Sequence, residues 1–421
     1  MNRTGQKSTY LISNKTLTIS GSKSESNRLL LLQAIYSNID IKNLSNSDDT
    51  KYLKKALAHF EKWKKNGSNA EKVLLIDIHH AGTAMRFLTA FFACQPGLQV
   101  KLTGSSRMQE RPIKLLVDAL NALGAAITYE KNEGFPPLNI KGKTMTKNEV
   151  QLNADVSSQY ITALMLIGSG LKTGLNIQLI GQCTSMPYIK MTEALMAQLG
   201  IETNFDAQQI AIKPLLNQAL NQKFVVESDW SSASYWYSLV ALADVGFQLT
   251  LQYFKPNSLQ GDQALVEIYK HFGVETVFNP DESITLKKKS NHQNKQFVAN
   301  LIHCPDIAQT VAVTCFGLGL ACHLTGLHTL KIKETDRLEA LKTELTKFGA
   351  NIAVNHHSLT LAASHQINEN INVKTYQDHR MAMAFAPLAL KTTLIIEDEE
   401  VVNKSYPDFW DDMRLVGLEF L

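Results

Sequence analysis

A chain of 421 residues is too long for one core, so it divides into two or three domains. Its composition, 44% hydrophobic and 19% charged, is that of a soluble globular protein. A net charge of +3, from 42 Lys and Arg against 39 Asp and Glu, excludes a nucleic-acid coat and a membrane-surface patch, so any cationic site must be a local cluster. Cys94, Cys183, Cys304, Cys315 and Cys322 are scattered and form no CxxC pair. They read as reduced thiols of a cytoplasmic protein, with no zinc or other metal site expected. The start "MNRTGQKSTYLISNK" lacks the apolar core of a secretory signal. The longest apolar stretch, 311–321, is about half a membrane span.

In chain order, an apolar helix with a small, polar start recurs six times. It begins near Asn27 ("SNRLLLLQAIY"), Gly82 ("GTAMRFLTAFFA"), Ser157 ("SSQYITALMLIG"), Ser231 ("SSASYWYSLVALA"), Pro305 ("PDIAQTVAVTCFG") and His379 ("HRMAMAFAPLAL"). From Gly82 onward these starts fall 75, 74, 74 and 74 residues apart. An amphipathic helix keeps the same beat and closes on Gly124, Gly200, Gly273 and Gly349, each at a C-cap position before a strand-like run. The repeat is therefore a strand, a buried helix, a strand, an amphipathic helix and further strands. Six such units fill the chain. A helix apolar on all sides must be covered on all sides, so three units packed around their own apolar helices, made twice, give two similar α/β domains. No Gly/Ser-rich or Pro-rich linker separates them, so the join is short and can act as a hinge.

The chemistry gathers at the starts of the buried helices. In "GSKSESNR", Ser22 and Glu25 form a capping-box pattern beside Lys23, Ser24, Ser26 and Arg28. A helix start offers free N–H groups and partial positive charge, which suits a phosphate or carboxylate. The plainer alternative is a capped helix with two solvated cations. Gly82 allows close backbone approach at the next start. Arg107 and Arg111 are four apart, on one face if helical. Ser157, Ser158 and Gln159 are neutral donors. Lys333 and Arg337 flank Glu334 in "KETDRL", Arg380 opens the last buried helix, and Lys404 follows in "NKSYPDF". Asp306 follows a proline at a helix start, where a capping aspartate is the ordinary reading. Asp229 is placed to cap the helix at Ser231. Many cations with one or two carboxylates suit proton transfer between anionic substrates, where positioned acid–base groups contribute roughly 10²–10⁴-fold each.

Taken in order, "GSKSESNR", "AGTAMR", "LTGSSRMQERPI", "SSQYITALM", "ESDWSSASY", "PDIAQT", "IKETDRL" and "DHRMAM" resemble the 5-enolpyruvylshikimate-3-phosphate synthase family over nearly the whole chain. The resemblance implies two domains of three βαβαββ units each, the enolpyruvyl transferase fold. The domains expected are 1–20 with 229–421, and 21–228, with the active site in the cleft between them. The resemblance also implies transfer of the enolpyruvyl group of phosphoenolpyruvate to the 5-hydroxyl of shikimate 3-phosphate, with release of phosphate. By motif, Lys23, Ser24, Arg28, Ser157, Ser158, Gln159, Ser185, Asp306 and Lys333 hold shikimate 3-phosphate. Lys23, Gly82, Arg111, Gln159, Arg337, Arg380 and Lys404 hold phosphoenolpyruvate. Asp306 takes the hydroxyl proton, and Glu334, with Lys23, manages the proton at the methylene carbon. No metal or organic cofactor is implied, and a cytoplasmic monomer is expected. The sequence departs from the family pattern at His79 and His80, where Gly-Asn is common, at Phe87, where proline is common, and at Thr329, where some members have asparagine. The sister UDP-N-acetylglucosamine enolpyruvyl transferases share the fold and chemistry but carry a reactive loop cysteine that "TGSSRMQERP" lacks. A ring-like nucleic-acid clamp would need a broad basic lining, which the charge balance denies.

Overall fold

Helices without a polar face must be enclosed, and that requirement organises the chain. The computed structural model describes residues 2–5, 11–65, 73–153, 158–181, 186–206, 208–215, 221–292 and 295–420. It divides into two compact units, Ser22–Val226 and Met1–Gly21 with Glu227–Leu421. The sequence placed the crossings at 20/21 and 228/229; the structure places them at 21/22 and 226/227. No described helix is long and apolar enough to cross a membrane.

In the Ser22–Val226 unit, strand Leu74–Asp77 runs parallel to Gln99–Thr103, which pairs antiparallel with Leu138–Lys141, and that with Ala126–Tyr129. The same order recurs in Glu149–Asn153, Leu175–Ile180, Gln209–Ile212 and Thr203–Asp206. Each parallel pair is joined by a buried helix, Gly82–Ala93 or Ser158–Gly168. The third buried helix, Lys23–Ile35, leads into Ile39–Lys42, whose parallel partner Gln222–Val225 comes from the far end of the unit.

The other unit repeats the pattern. Lys15–Leu17, Gln248–Leu251, Ile284–Lys288 and Val274–Phe278 form one sheet in that order. Gln296–Asn300, Ala321–Thr325, Ser358–Leu361 and Ile352–Val354 form the next. In the last, Ile371–Val373 lies parallel to Leu394–Ile396, and the N-terminal strand Arg3–Gly5 adds antiparallel to it. A bridge from Gly5 to Phe420 completes that sheet, so the two ends of the chain close one repeat. The glycines expected at the amphipathic helix ends, Gly124, Gly200, Gly273 and Gly349, all have positive φ, between 78° and 109°.

The helix starts lie together within each unit. In the Glu227–Leu421 part, Ser234 meets Thr310 (3.1 Å) and Ser238 meets Thr314 (2.8 Å), so Trp230–Leu242 and Ala308–Gly317 run parallel and level. Gln309 reaches Met381 near the start of His379–Phe385 (3.0 Å). In the Ser22–Val226 unit, Arg28 donates to Thr162 (3.3 Å) and lies over the Phe87 ring (5.8 Å). Arg86 and Tyr160 both donate to the Pro112 carbonyl, at 2.8 and 2.7 Å. Every residue of Ser158–Gly168 is buried except Gln159, and every residue of Trp230–Leu242 except Ser231. Both exceptions sit in the first turn.

Gly142 fixes the other end of the Gly82–Ala93 helix. A Cβ there would stand 1.9 Å from the Gln95 carbonyl oxygen and 2.8 Å from that of Phe92. No rotamer change relieves a clash with backbone. Gly142→Ala should lower the unfolding free energy by about 3 kcal/mol, the upper end of ordinary overpacking. A urea midpoint unchanged from wild type would show that the helix end yields.

Candidate active site

The clearest cluster stands at the helix starts of the Glu227–Leu421 part. Asp306 lies in the 3-10 turn Pro305–Ile307 that enters the Ala308–Gly317 helix. It accepts from Arg337 Nη1 (2.9 Å), with Lys333 Nζ at 3.4 Å and Arg380 Nη2 at 3.5 Å. Glu334 accepts from Arg337 Nη2 (2.8 Å) and from Lys404 Nζ. Arg337 Nε donates to Asp378 (2.6 Å). Asp306 thus stands in an ion-pair cluster of three cations. Lys333 precedes the helix Arg337–Lys347, so the two cations do not share a helical face.

Arg337 is 2% exposed. Burial alone would lower its pKa. Asp378, Glu334 and Asp306 outweigh burial and the opposing Arg380, so the pKa is raised and the guanidinium stays charged.

Two carboxylates of this cluster were not assigned a role from the sequence. Asp378 is fully buried and caps the His379–Phe385 helix by accepting from Arg380 N (2.9 Å). A short acid directly before "HRMAM" was a visible signal for that cap. Asp262 had no such signal. It accepts from Ser231 Oγ, which in turn accepts from Arg380 Nη2 (3.3 Å). Burial, aided by the charge of Asp306 and opposed by Arg380 and Ser231, lifts the Asp262 carboxyl from 3.8 to about 7. Asp229 does cap its helix, accepting from Ser232 N at 2.8 Å.

The Ser22–Val226 unit carries the remaining candidates. Ser22 accepts from Glu25 N, so the helix at Lys23 begins capped. The side chains of Leu29–Leu32 are buried, each worth about 1.5–3 kcal/mol, and they seat that start against the cost of burying Arg28. Arg28 is not a solvated cation. It donates to Thr192 (2.8 Å), to the Ser24 carbonyl (2.7 Å) and to the Tyr188 carbonyl (3.2 Å), and burial lowers its pKa to about 10.

At the next start, a Cβ on Gly82 would come within 2.3 Å of Arg111 Nη1, so the glycine lets that guanidinium lie against the backbone. Arg107 pairs instead with Glu110 (2.7 Å) in an exposed 3-10 turn, and Arg107 and Arg111 share no helical face. Ser158 and Gln159 occupy the first turn of their helix. Ser157 and Ser185 lie outside the described residues. His79 and His80 stand just before Gly82 with their Nδ1 atoms 2.6 Å apart, one donating to the other. Among the described residues no group of three or more His, Cys, Asp or Glu is arranged to hold a metal.

A family profile described as EPSP synthase (3-phosphoshikimate 1-carboxyvinyltransferase) matches residues 11–413. A 3-phosphoshikimate 1-carboxyvinyltransferase of Bacteroides fragilis (strain ATCC 25285) is 43% identical over 407 residues, covering 96% of this chain and 95% of that protein. One from Shewanella pealeana is 35% identical over 416 residues, covering 95% and 96%. The EPSP synthase structure from Acinetobacter baumannii superposes with a TM-score of 0.80 at 18% identity, covering 100% of this chain and 99% of that one. The enolpyruvyl transferase NikO from Streptomyces tendae gives 0.74 at 12% identity, covering 100% and 98%. These two structures speak for the fold.

Asp262 makes stability depend on pH. Between 3.8 and about 7 the folded chain keeps a proton there that the unfolded chain releases, so this group subtracts stability as pH rises through that window. Asp262→Asn cannot ionise. Its Tm relative to wild type should therefore climb from pH 5 to pH 8, by about 2–4 °C for each kcal/mol recovered. A constant difference across that range would mean that Asp262 is ionised throughout.

Proposed function

The chain belongs to the EPSP synthase family, and on that premise we propose how its residues carry out the family's reaction. The protein is a 3-phosphoshikimate 1-carboxyvinyltransferase. It moves the 1-carboxyvinyl group of phosphoenolpyruvate to the 5-hydroxyl of shikimate 3-phosphate and releases phosphate, a step of the shikimate pathway to aromatic amino acids. The sister reaction on UDP-N-acetylglucosamine and the nucleic-acid clamp fall away as readings.

Asp306 is the base that takes the proton of the 5-hydroxyl as its oxygen bonds to C2 of phosphoenolpyruvate. Glu334, with Lys23, delivers a proton to C3, giving a tetrahedral adduct. The adduct then loses a proton from C3 to Glu334 as the C2–O bond to phosphate breaks, which regenerates the double bond in the product. Lys23, Ser24, Arg28, Ser157, Ser158, Gln159, Ser185 and Lys333 hold shikimate 3-phosphate with Asp306. Lys23, Gly82, Arg111, Gln159, Arg337, Arg380 and Lys404 hold phosphoenolpyruvate. The enzyme works as a cytoplasmic monomer, without a metal or organic cofactor.

The observation that supports this reading is the placement of Asp306 and Glu334 among Lys333, Arg337, Arg380 and Lys404 at one group of helix starts. Cations there can bind the carboxylate and phosphate of the substrate, and the two carboxylates are separate enough in partners to act on different protons. Phosphate release should require both substrates. Asp306→Asn should lower kcat by roughly 10²-fold or more while shikimate 3-phosphate binds within about tenfold of wild type. Release with either substrate alone, or full turnover in the variant, would refute the assignment.

A further inference from the structure

The segment before Arg380 is held in an unusual shape. Tyr376 and Gln377 both have positive φ, 54° and 56°. Neither is glycine, and two consecutive left-handed residues are costly unless their surroundings impose them. The next residues are Asp378, which binds Arg337, and Arg380, which faces Asp306 and Ser231.

One helix imposes the turn. Glu344 lies in Arg337–Lys347, seven residues after Arg337 and so two turns along the same face. It is completely buried, yet its carboxylate is fully used. Oε1 accepts from the Tyr376 hydroxyl (2.7 Å), and Oε2 accepts from Lys374 N (3.1 Å) and Lys347 Nζ (2.6 Å). On the other side of the turn, Arg337 grips Asp378, and Asp378 N donates to the Thr375 carbonyl (2.9 Å). The helix thus takes hold of the chain both before and after the two left-handed residues.

We propose that Glu344 and Tyr376 are positioning residues that set the Asp378–Arg380 stretch for phosphoenolpyruvate. Neither touches substrate. Glu344 holds Lys374 and Tyr376, the turn is forced left-handed, and Arg380 leaves it in a fixed direction toward Asp306. This rests on the reading that Arg380 and Arg337 bind phosphoenolpyruvate.

Tyr376→Phe removes one hydroxyl and keeps the ring. It should raise the KM for phosphoenolpyruvate about tenfold, the loss of roughly 1.4 kcal/mol, and lower kcat severalfold. Affinity for shikimate 3-phosphate, measured by calorimetry without phosphoenolpyruvate, should stay within twofold. Glu344→Gln should act in the same direction. Because both variants act on the contact between Glu344 and Tyr376, the double variant should fall well short of the product of the two. Should Glu344→Gln fail to fold, Tyr376→Phe alone carries the test. A KM within twofold of wild type, or an equal loss of both substrates, would overturn the proposal. A wild-type protein that releases no phosphate from the two substrates would instead overturn the reading beneath it.

Discussion

Arg337 is the interaction on which the candidate site of the Glu227–Leu421 part depends. A buried guanidinium without partners would cost several kcal/mol, and so would three carboxylates without a cation. Arg337 meets Asp306, Glu334 and Asp378 with separate edges of its planar fork. Each of those acids sits on a different stretch of chain: the entry to one buried helix, the loop before the amphipathic helix, and the cap of the His379–Phe385 helix. Joining them fixes where both proposed proton-transfer groups stand. Lys333 then shares the Asp306 oxygen that Arg337 holds, while Arg380 and Lys404 take the outer oxygens of Asp306 and Glu334. Four cations oppose three carboxylates, with Asp262 titrating near neutrality, and the surplus favours an anionic ligand.

That cluster is possible because the helix starts lie together. A βαβ repeat sends each buried helix the same way relative to its parallel strands, and three helices apolar on every face can only bury each other side by side. Gln159 and Ser231 escape enclosure in their first turns. Free N–H groups and partial positive charge collect there, so the packing that solves the burial problem also makes an anion site. The same logic operates separately in the Ser22–Val226 unit, where Arg28, Gly82, Arg111 and Ser158 mark the starts.

Much of this was legible in the sequence because the repeat is strict. Apolar runs at a constant spacing, closing glycines and small polar helix starts are local signals, and they located the buried helices and most candidate ligands. What was not legible depends on pairing between distant stretches. Nothing in "MNRTG" says that Arg3–Gly5 completes a sheet with Leu394–Ile396. Nothing in "QGDQA" says that Asp262 stands behind Ser231 and Arg380. The spacing of Arg107 and Arg111 suggested a shared helical face, but a 3-10 turn separates them and only Arg111 lies against Gly82. Lys333 lies before the helix that begins at Arg337, yet the two converge through Asp306. Spacing rules assume an element type, and the loops that carry these cations break that assumption.

The fork of Arg337, and not its charge alone, organises the site. Arg337→Lys keeps the charge and loses the ability to address three carboxylates at once. The direct measurement is kcat/KM for phosphoenolpyruvate at saturating shikimate 3-phosphate, with near-ultraviolet circular dichroism to confirm the fold. A fall of about 10²-fold or more in a folded variant is the result predicted, corresponding to roughly 2.7 kcal/mol of transition-state stabilisation. A folded Arg337→Lys variant within threefold of wild type would contradict the account.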